Sequence, residues 1–416
     1  MGAATRNTKV LYNAEIPADW EVKRFGDICK INGRIGYRGY TVEDIVQKGN
    51  GAITLSPSNF KNGKLDYSEC TFISWFKYEE SPEIQISNGD ILLVKTGSTF
   101  GKSALVDKLI DKATINPQIV VIKEVKSDVN YLSFLISNQI FQKQINKVVV
   151  GGAIPTLSQE NILNFKIPLP PLSEQKAIAQ VLSTADTAIH TTEKIIAQKE
   201  LRKKWLMQQL LTGKKRLNGF GGEVKLKVVE HFLKEVSERN KDLKITNVLS
   251  VTNSRGFINQ SDQFDRVVAS EDATNYKIVR KGQFAYNPSR VNVGSLDLLR
   301  YFERGILSPM YVVFETDKSL LLPDYFYYQL KTQWFYGHIP MFVQGSVRDS
   351  LSFDGLCSMK FFVPSIEEQT AIAQVLQAAD KEIRLLKAKA VKLREQKKGL
   401  MQQLLTGKVR LSINNT

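Results

Sequence analysis

The chain contains one long segment twice, and this duplication constrains its fold more than any other feature. Residues 174–217 and 368–411 align without a gap at an offset of 194 positions, and 24 of the 44 aligned residues are identical. A repeat of this length predicts two similar structural units in one chain. At 416 residues the chain is also too long for a single hydrophobic core.

Each copy of the segment predicts a long helix. Its apolar residues alternate at spacings of four and three, which is the seam of a coiled coil. Ser173 and Ser365 suit helix N-caps, while Gly213 and Gly407 suit C-terminal caps. Each helix should span about 35 residues, or ~50 Å, and antiparallel pairing would place one domain at each end. The residues predicted to pair the helices are Ile178, Leu182, Ile189, Ile196, Leu206, Leu210, Ile372, Leu376, Ile383, Leu386, Leu393, Leu400 and Leu404.

Lys203 and Lys397 occupy the same seam position in the two copies. Their aliphatic stems could cover the seam while the ammonium groups reach solvent. Alternatively, the two lysines could set the register of the helix pair. The pattern leaves both interpretations open.

The regions outside the repeat predict two α+β domains. In the first, short β-rich runs at 90–95 and 119–123 follow turn residues, and a helix is expected over 130–146. The second repeats the landmarks of the first in order, but differs almost everywhere between them; a short helix is expected over 228–238. We therefore predict an α+β fold with a pseudo-twofold internal repeat, in which two long antiparallel coiled-coil helices join two globular domains. The predicted boundaries are 1–166 for the first domain, 167–217 for the first helix, 218–362 for the linker and second domain, and 363–416 for the second helix and tail.

Charge points to a polyanionic partner. The net charge is +15, and the two copies of the repeat carry nine and ten Lys or Arg against four Asp or Glu each. An excess of this size favours an acidic partner, such as nucleic acid or an anionic membrane surface, although solvated helix faces explain many charged runs. Because no apolar run reaches the length of a membrane helix and the N-terminus lacks a signal-peptide core, we expect a cytoplasmic protein without a membrane partner.

The contrast between similar helices and different domains carries a functional prediction. Similar helices suit two copies of one partner, whereas different domains suit two different ligand features. Double-stranded DNA fits both the charge and the geometry. We predict a bipartite, asymmetric DNA target with an unread gap, its half-sites centred about 10 base pairs apart.

Base reading requires Arg or Lys for guanine and Asn or Gln for adenine, on loops that reach the major groove. Candidates in the first domain are Arg34, Tyr37, Arg38, Lys95, Ser98 and Lys102, with Tyr37 available for stacking or a phosphate contact. Candidates in the second domain are Arg255, Asn287, Ser289, Arg290, Asn292 and Arg348. A DNA contact by Arg348 is the most specific of these predictions, because this residue lies in a glycine loop before a Leu-Ser pair that both domains share.

Motifs for catalysis are incomplete. The run GSTFGKS at 97–103 lacks one residue of a P-loop, and NPSR at 287–290 lacks the second proline and the aromatic residue of an amino-methyltransferase motif. Pro323-Asp324 with Gln329-Leu330-Lys331 hints at a nuclease metal site, but the aligned segment 130–137 lacks those groups and a helix start explains the acid better. The cysteines and histidines are scattered. We predict no catalytic, cofactor or metal site in this chain.

Several of these segments also resemble a known family. PLPPLSEQKAIAQVL and LMQQLLTGKKRL, with their second copies VPSIEEQTAIAQVL and LMQQLLTGKVRL, resemble the specificity (S) subunits of Type I restriction-modification enzymes. GDILLVKTGSTFGKSALV resembles the body of their target recognition domains, and the likeness covers nearly the whole chain.

The resemblance implies two target recognition domains that each read half of a split DNA sequence. It implies that the helices act as a ruler and as the docking site for two methylation (M) subunits, with restriction (R) subunits joining through the complex. S-adenosylmethionine, ATP and Mg²⁺ would serve the partner subunits, with no cofactor in this chain.

Two other function classes compete with a DNA-specificity subunit. One is a coiled-coil scaffold that assembles protein partners without reading DNA, and the other is an enzyme acting on nucleic acid. The different loop chemistry of the two domains favours the specificity subunit, the similar helices suit both it and the scaffold, and the incomplete motifs oppose the enzyme.

Overall fold

The computed structural model describes residues 7–12, 14–61, 63–148, 156–223, 225–262, 272–343 and 350–411. The chain divides into two compact units. Unit 1 contains Met1–Thr192 and Lys389–Thr416, and unit 2 contains Glu193–Ala388. Each unit therefore combines one globular domain with part of both long helices.

Unit 1 is built from short strands and helices before the first long helix. Its strands are β1 (Thr8–Leu11), β2 (Ala14–Pro17), β3 (Glu21–Arg24), β4 (Lys30–Gly33), β5 (Ile45–Val46), β6 (Gly51–Leu55), β7 (Phe60–Lys61), β8 (Lys64–Leu65), β9 (Thr71–Ser74), β10 (Ile91–Val94), β11 (Ser103–Leu105), β12 (Ala113–Ile115), β13 (Ile119–Lys123) and β14 (Lys166–Leu169). Its helices are α1 (Phe25–Ile28), α2 (Trp75–Glu79), α3 (Val129–Ile136), α4 (Gln139–Val148), α5 (Gln159–Leu163) and the first part of α6 (Leu172–Leu210).

Two four-stranded sheets form the centre of unit 1, with strand orders β11-β10-β13-β4 and β12-β6-β9-β5. The predicted strand at 119–123 is confirmed, and the one at 90–95 is confirmed as β10. All four β10 residues are buried because its two faces enter different cores. Ile91 and Leu93 pack in the core that contains α3 and α6, whereas Leu92 and Val94 pack against the second sheet. A strand covered on both faces is uniformly apolar.

Unit 2 has the same central arrangement. Its strands are β15 (Leu226–Val228), β16 (Leu233–Glu235), β17 (Leu249–Thr252), β18 (Gly256–Asn259), β19 (Lys277–Arg280), β20 (Phe284–Tyr286), β21 (Leu296–Leu298), β22 (Arg304–Leu307), β23 (Val312–Thr316) and β24 (Lys360–Phe362). Its helices are the last part of α6, α7 (Pro323–Gln329), α8 (Gln333–Phe342), α9 (Phe353–Cys357) and the first part of α10 (Ile366–Leu404), whose last part belongs to unit 1. The sheet order β16-β23-β20-β21 matches β4-β13-β10-β11 of unit 1 strand for strand.

The two long helices run antiparallel within each unit. In unit 1, Lys397 Nζ lies 2.6 Å from Asp186 Oδ1, while Arg410 beyond the end of α10 pairs with Glu174 at the start of α6. From Glu174 to Asp186 the residue number rises along α6, while the residue number of the partner falls from Arg410 to Lys397. This is the pattern of an antiparallel pair of helices. Residues Ile178, Leu182 and Leu404 are buried in the domain core.

Unit 2 repeats these contacts at an offset of 194. Lys203 Nζ lies 2.5 Å from Asp380 Oδ1, and Arg216 pairs with Glu368. Each lysine therefore binds the aspartate of the other copy. These ion pairs fit the register interpretation of Lys203 and Lys397, because each ammonium has a partner that only one alignment of the helices provides.

The remaining seam positions are protected from solvent to different degrees. Leu210, Ile372, Leu376 and Ile383 are buried. The half-buried seam residues are Ile189, Ile196, Leu206, Leu386, Leu393 and Leu400.

The helix ends agree with the sequence in three of four cases. Ser365 precedes α10, and the backbone N of Glu368 donates to Ser365 Oγ at 3.4 Å. Gly213 and Gly407 have φ values of 69° and 68°, the left-handed conformation that glycine adopts readily after a helix. The prediction for Ser173 was wrong, because α6 already begins at Leu172.

Two other helix predictions also need correction. The expected helix over 130–146 is divided into α3 and α4, since Asn138 Oδ1 accepts from the backbone N of Ile140 at 2.9 Å and caps a new helix. The expected helix over 228–238 was wrong. Its residues form the end of β15, a short 3₁₀ turn and all of β16, because β15 pairs with β24 and β16 pairs with β23.

Candidate nucleic-acid interface

One edge of the unit 1 sheets gathers several predicted residues. Gly33 at the end of β4 is paired with Val120, and Val94 at the end of β10 is paired with Ile119 at the start of β13. The loops that follow β4 and β10 therefore lie beside the turn that precedes β13. Antiparallel pairing creates this edge from segments distant in sequence.

Arg34 does not fit its predicted role as a base-reading side chain. It is only 6% exposed. Its Nε donates to the carbonyl of Ile115 at 3.1 Å and its Nη2 to Thr114 Oγ1 at 3.2 Å. Because the guanidinium is used inside the domain, Arg34 anchors the loop after β4 to the end of β12.

The loop that Arg34 anchors presents Tyr37 to solvent. The Tyr37 side chain is 81% exposed, on a single 3₁₀ turn formed by Gly36–Arg38. The guanidinium of Arg38 lies 5.6 Å from the centre of the Tyr37 ring and 3.6 Å from a Glu83 oxygen. An exposed aromatic ring beside an arginine suits stacking on a base or contact with a phosphate.

The loop after β10 provides the remaining predicted residues of unit 1. Lys95 is half-buried, and burial lowers the pKa of its ammonium group. Ser98 and Lys102 are exposed on the same loop. This loop joins β10 and β11, which pair antiparallel with Leu93 opposite Ser103. The P-loop-like run 97–103 thus lies in the hairpin connection and ends at the first residue of β11.

Unit 2 forms the corresponding edge with a different loop set. Tyr286 at the end of β20 is paired with Val312 at the start of β23. The loop after β20 lies against the turn between β17 and β18, because a Cβ on Gly294 would lie 3.1 Å from Asn253 Cβ. Ser295 Oγ also donates to the carbonyl of Val251 at 2.8 Å.

Four predicted unit 2 residues are exposed on these neighbouring segments. They are Arg255, Ser289, Arg290 and Asn292. Asn287 does not fit its predicted role, because it is buried and its Oδ1 accepts from the backbone N of Ser289 at 3.1 Å. Asn287 shapes the loop that presents Ser289 and Arg290. Arg348 lies outside the described residues.

Sequence reasoning missed two exposed side chains at these edges, Gln118 in unit 1 and Met310 in unit 2. Each follows a proline just before a central strand. The available signal was the pair of turns Asn116-Pro117 and Ser308-Pro309, which indicate strand starts but not which side chains reach the surface.

The remaining enzyme-like residues have structural contacts. Asp324 lies in the first turn of α7 and its Oδ1 accepts from Arg300 Nη2 at 2.9 Å. Gln329 is buried and donates to the carbonyl of Leu211 at 2.9 Å. Among the residues that the structure describes, no cluster of three or more His, Cys, Asp or Glu could hold a metal ion. No helix within the described ranges is long and apolar enough to span a membrane.

These features define a class of protein. It has two like α+β domains on a shared frame of paired helices, and each domain has a polar edge with its own side chains. The family described as the type I restriction modification DNA specificity domain has a model that matches residues 17–200 and 271–395. These ranges make up well over half of the chain, so the chain belongs to this family, whose members are the non-catalytic DNA-recognition subunits of type I restriction systems.

Individual relatives are similar in sequence to this chain over almost its full length. The type I restriction enzyme MjaVIII specificity subunit of Methanocaldococcus jannaschii is 25% identical, over 97% of this chain and 96% of the relative. The putative MjaX specificity subunit of the same organism is 26% identical, over 97% of each protein. The crystal structure of the type I S subunit from M. genitalium has a TM-score of 0.56 at 14% identity and covers 99% of this chain and 100% of that one, which shows a shared fold.

Proposed function

We propose that the two units read the two halves of a bipartite, asymmetric DNA target separated by an unread gap. The observation that supports this proposal is the pair of equivalent edges. Both lie where the same central strands end, yet one presents Tyr37 and Lys102 and the other presents Arg255 and Arg290. Equivalent frames with different side chains suit two different half-sites.

The frame itself suits a spacing role. The helices α6 and α10 each span 39 residues without interruption, or about 58 Å at 1.5 Å per residue. The matched Lys–Asp and Arg–Glu pairs oppose sliding of one helix along the other, since a shift would separate all four pairs. We infer that the length and register of this helix pair set the length of the unread gap.

We infer that the helices also carry two methylation subunits, with restriction subunits joining through the complex. The sequence similarity of the two copies, with 24 of 44 residues identical, supports two docking positions of one kind. Their exposed apolar residues differ, however. Leu201 and Trp205 are 69% and 47% exposed, whereas the equivalent positions hold Glu395 and Gly399. The two positions should therefore bind the partner with unequal strength.

Chemistry in such a complex would belong to the partner subunits. S-adenosylmethionine would serve the methylation subunits, and ATP and Mg²⁺ the restriction subunits, with this chain supplying DNA recognition. A complex that acts on cellular DNA would work in the cytoplasm.

The decisive experiment is to express the chain with its cognate methylation subunit in a host without DNA methylation and to sequence the modified adenines. We expect a single split motif with a fixed unread gap. A methylation subunit that is active but modifies no common motif would contradict the proposal.

Salt dependence separates DNA reading from a scaffold role. A DNA-reading complex with several phosphate contacts should lose affinity steeply as salt rises, with a log–log slope of about −0.9 for each phosphate contact. The measurement should use the chain together with its methylation subunit. A slope near zero would favour a coiled-coil scaffold.

A further inference from the structure

The same turn precedes the central strand β13 in unit 1 and β23 in unit 2. In unit 1, the backbone N of Ile119 donates to the carbonyl of Asn116 at 3.2 Å, around Pro117. In unit 2, the backbone N of Tyr311 donates to the carbonyl of Ser308 at 3.0 Å, around Pro309. Proline at the second position restricts the turn, so the third residue is presented in the same way by both domains.

The third residue of the turn differs completely between the domains: it is Gln118 in unit 1 and Met310 in unit 2. Both side chains are exposed, Met310 by 60%. A single exposed methionine is ordinary on a protein surface, so what distinguishes Met310 is the position that it shares with Gln118.

Both side chains lie against the loop that follows the preceding central strand. In unit 1, the backbone N of Lys95 donates to the carbonyl of Gln118 at 2.8 Å, and a Cβ on Gly97 would lie 3.3 Å from Gln118 Nε2. In unit 2, Asn287 Nδ2 lies 3.5 Å from Met310 Sδ. These loops also carry Lys102 and Arg290. The turn residue therefore lies against a loop that also carries one of the exposed cationic candidates.

The placement of Gln118 is fixed by its own turn. Its Oε1 accepts from Asn116 Nδ2 at 3.1 Å, and its backbone N donates to Asn116 Oδ1 at 3.0 Å. The amide is held at the surface rather than free to rotate. Such a preorganised amide suits the N6 and N7 edge of adenine in the major groove.

Met310 offers the opposite chemistry. Its thioether is polarizable and has no N–H or O–H donor, so it gains most from an apolar contact. The only apolar group that a base presents in the major groove is the 5-methyl group of thymine.

We propose that the third residue of this proline turn is a specificity-determining residue in both domains, with Gln118 reading an adenine edge and Met310 reading a thymine methyl group. This inference rests on the proposed function, because it assumes that the two edges face DNA.

The test exchanges the two side chains in the full chain, bound to its methylation subunit. Met310→Gln should change or relax one position in one half-site, and Gln118→Met one position in the other. The discrimination at that position should fall by roughly tenfold or more, the contribution of one good base contact. Met341→Gln is the matched control, because Met341 is 75% exposed on α8 rather than on the turn, and it should leave both half-sites unchanged.

Base analogues give a second measurement that does not depend on methylation activity. Replacing the contacted thymine by uracil removes only the methyl group and should weaken binding of the unmodified complex by about fourfold, the contribution of one buried methyl group. The same replacement should not affect the Met310→Ala complex. Replacing the contacted adenine by 7-deazaadenine provides the equivalent test of Gln118→Ala.

The outcomes separate the inference from the proposed function. If the unmodified complex yields no split motif, the proposed function fails. If it yields one, but both exchanges preserve both half-sites and the analogue effects persist in the alanine variants, only the inference on Gln118 and Met310 is overturned.

Discussion

The central sheets of the two units have the same strand order but different buried side chains. Unit 1 packs Ile91 and Ile122 where unit 2 packs Phe284 and Phe314, whose rings stack at 4.9 Å. The contacts between the sheet domains and the long helices differ much less. Gln175 and Gln369, at equivalent positions on the two helices, each accept a hydrogen bond at Oε1 from a domain backbone N, that of Asp128 at 2.9 Å and that of Leu322 at 2.8 Å. Packing in a core tolerates a change of shape if volume and pattern are kept, whereas directional contacts with the frame require the same residues.

Removal of the arginine after each helix should have the largest effect. Glu174 and Glu368 are 2% and 1% exposed, so Arg410→Ala or Arg216→Ala leaves a buried carboxylate without its guanidinium. We expect Arg216→Ala to lower the free energy of unfolding by about 3 kcal/mol. Arg410→Ala should have a smaller effect, because Trp20 Nε1 still donates to Glu174 at 3.1 Å.

Thermal melting of both variants, with hydrogen exchange to locate the loosened unit, checks this difference. Arg410→Lys and Arg216→Lys are the controls, since they keep the charge but lose the two-pronged contact. Equal losses for the two alanine variants would contradict the expected asymmetry.

Substitution of Arg34 tests whether this residue stabilises the domain or contacts DNA. Arg34→Ala leaves the buried carbonyl of Ile115 and the Thr114 hydroxyl without a donor and should cost about 2 kcal/mol of stability. Arg38→Ala, on the exposed part of the same loop, should change stability by less than about 0.5 kcal/mol. If Arg38 contacts a phosphate, Arg38→Ala should weaken binding to all DNA sequences and reduce the slope of the salt dependence by about one. Urea unfolding and DNA titration of both variants distinguish these roles; a stable Arg34→Ala protein would contradict the anchoring role.

The lysine–aspartate pairs predict a smaller difference between the units. Asp380 accepts from Lys203 and, at 2.7 Å, from Tyr328 Oη, whereas the ring near Lys397 and Asp186 belongs to Phe134. We expect Asp380→Asn to cost about 1.5 kcal/mol and Asp186→Asn about 0.5 kcal/mol, because both pairs are partly solvated. Unfolding curves measured at low and high salt check the ionic contribution.

The double substitution Lys203→Leu and Lys397→Leu tests whether the two lysines set the register of the helix pair. Unchanged helix pairing would argue against a register role.

The exchange of one hydroxyl should have the smallest effect. Tyr328→Phe makes unit 2 resemble unit 1 and should remove about 1 kcal/mol, the net contribution of one hydrogen bond. Phe134→Tyr makes the opposite change beside Asp186 and should recover part of that amount. The double variant, measured by the same unfolding assay, should lie near the unmodified protein. No loss for Tyr328→Phe would mean that Lys203, not the hydroxyl, holds the aspartate.

Sequence reasoning succeeded where a pattern is local and failed where a distant contact decides. The strand β10 and the glycine ends of the long helices follow from apolar runs and turn residues. The segment 228–238 is helical by its own pattern but contains the end of β15 and all of β16, because β23 and β24 offer backbone partners. Arg34 looked like a surface cation, yet β12 places two acceptors beside it. Gln118 and Met310 were missed because a proline turn does not reveal its exposed side chain.

The sequence alone determined that this protein is a duplication, with two long helices of one kind and two domains of another, because identity at a fixed offset and apolar periodicity are properties of the chain itself. The tertiary structure decided which residues work together. It paired each copy's lysine and arginine with acids of the other copy, and it separated buried Arg34 and Asn287 from exposed Tyr37 and Arg290. Those outcomes depend on contacts between residues far apart in sequence, which no local pattern contains.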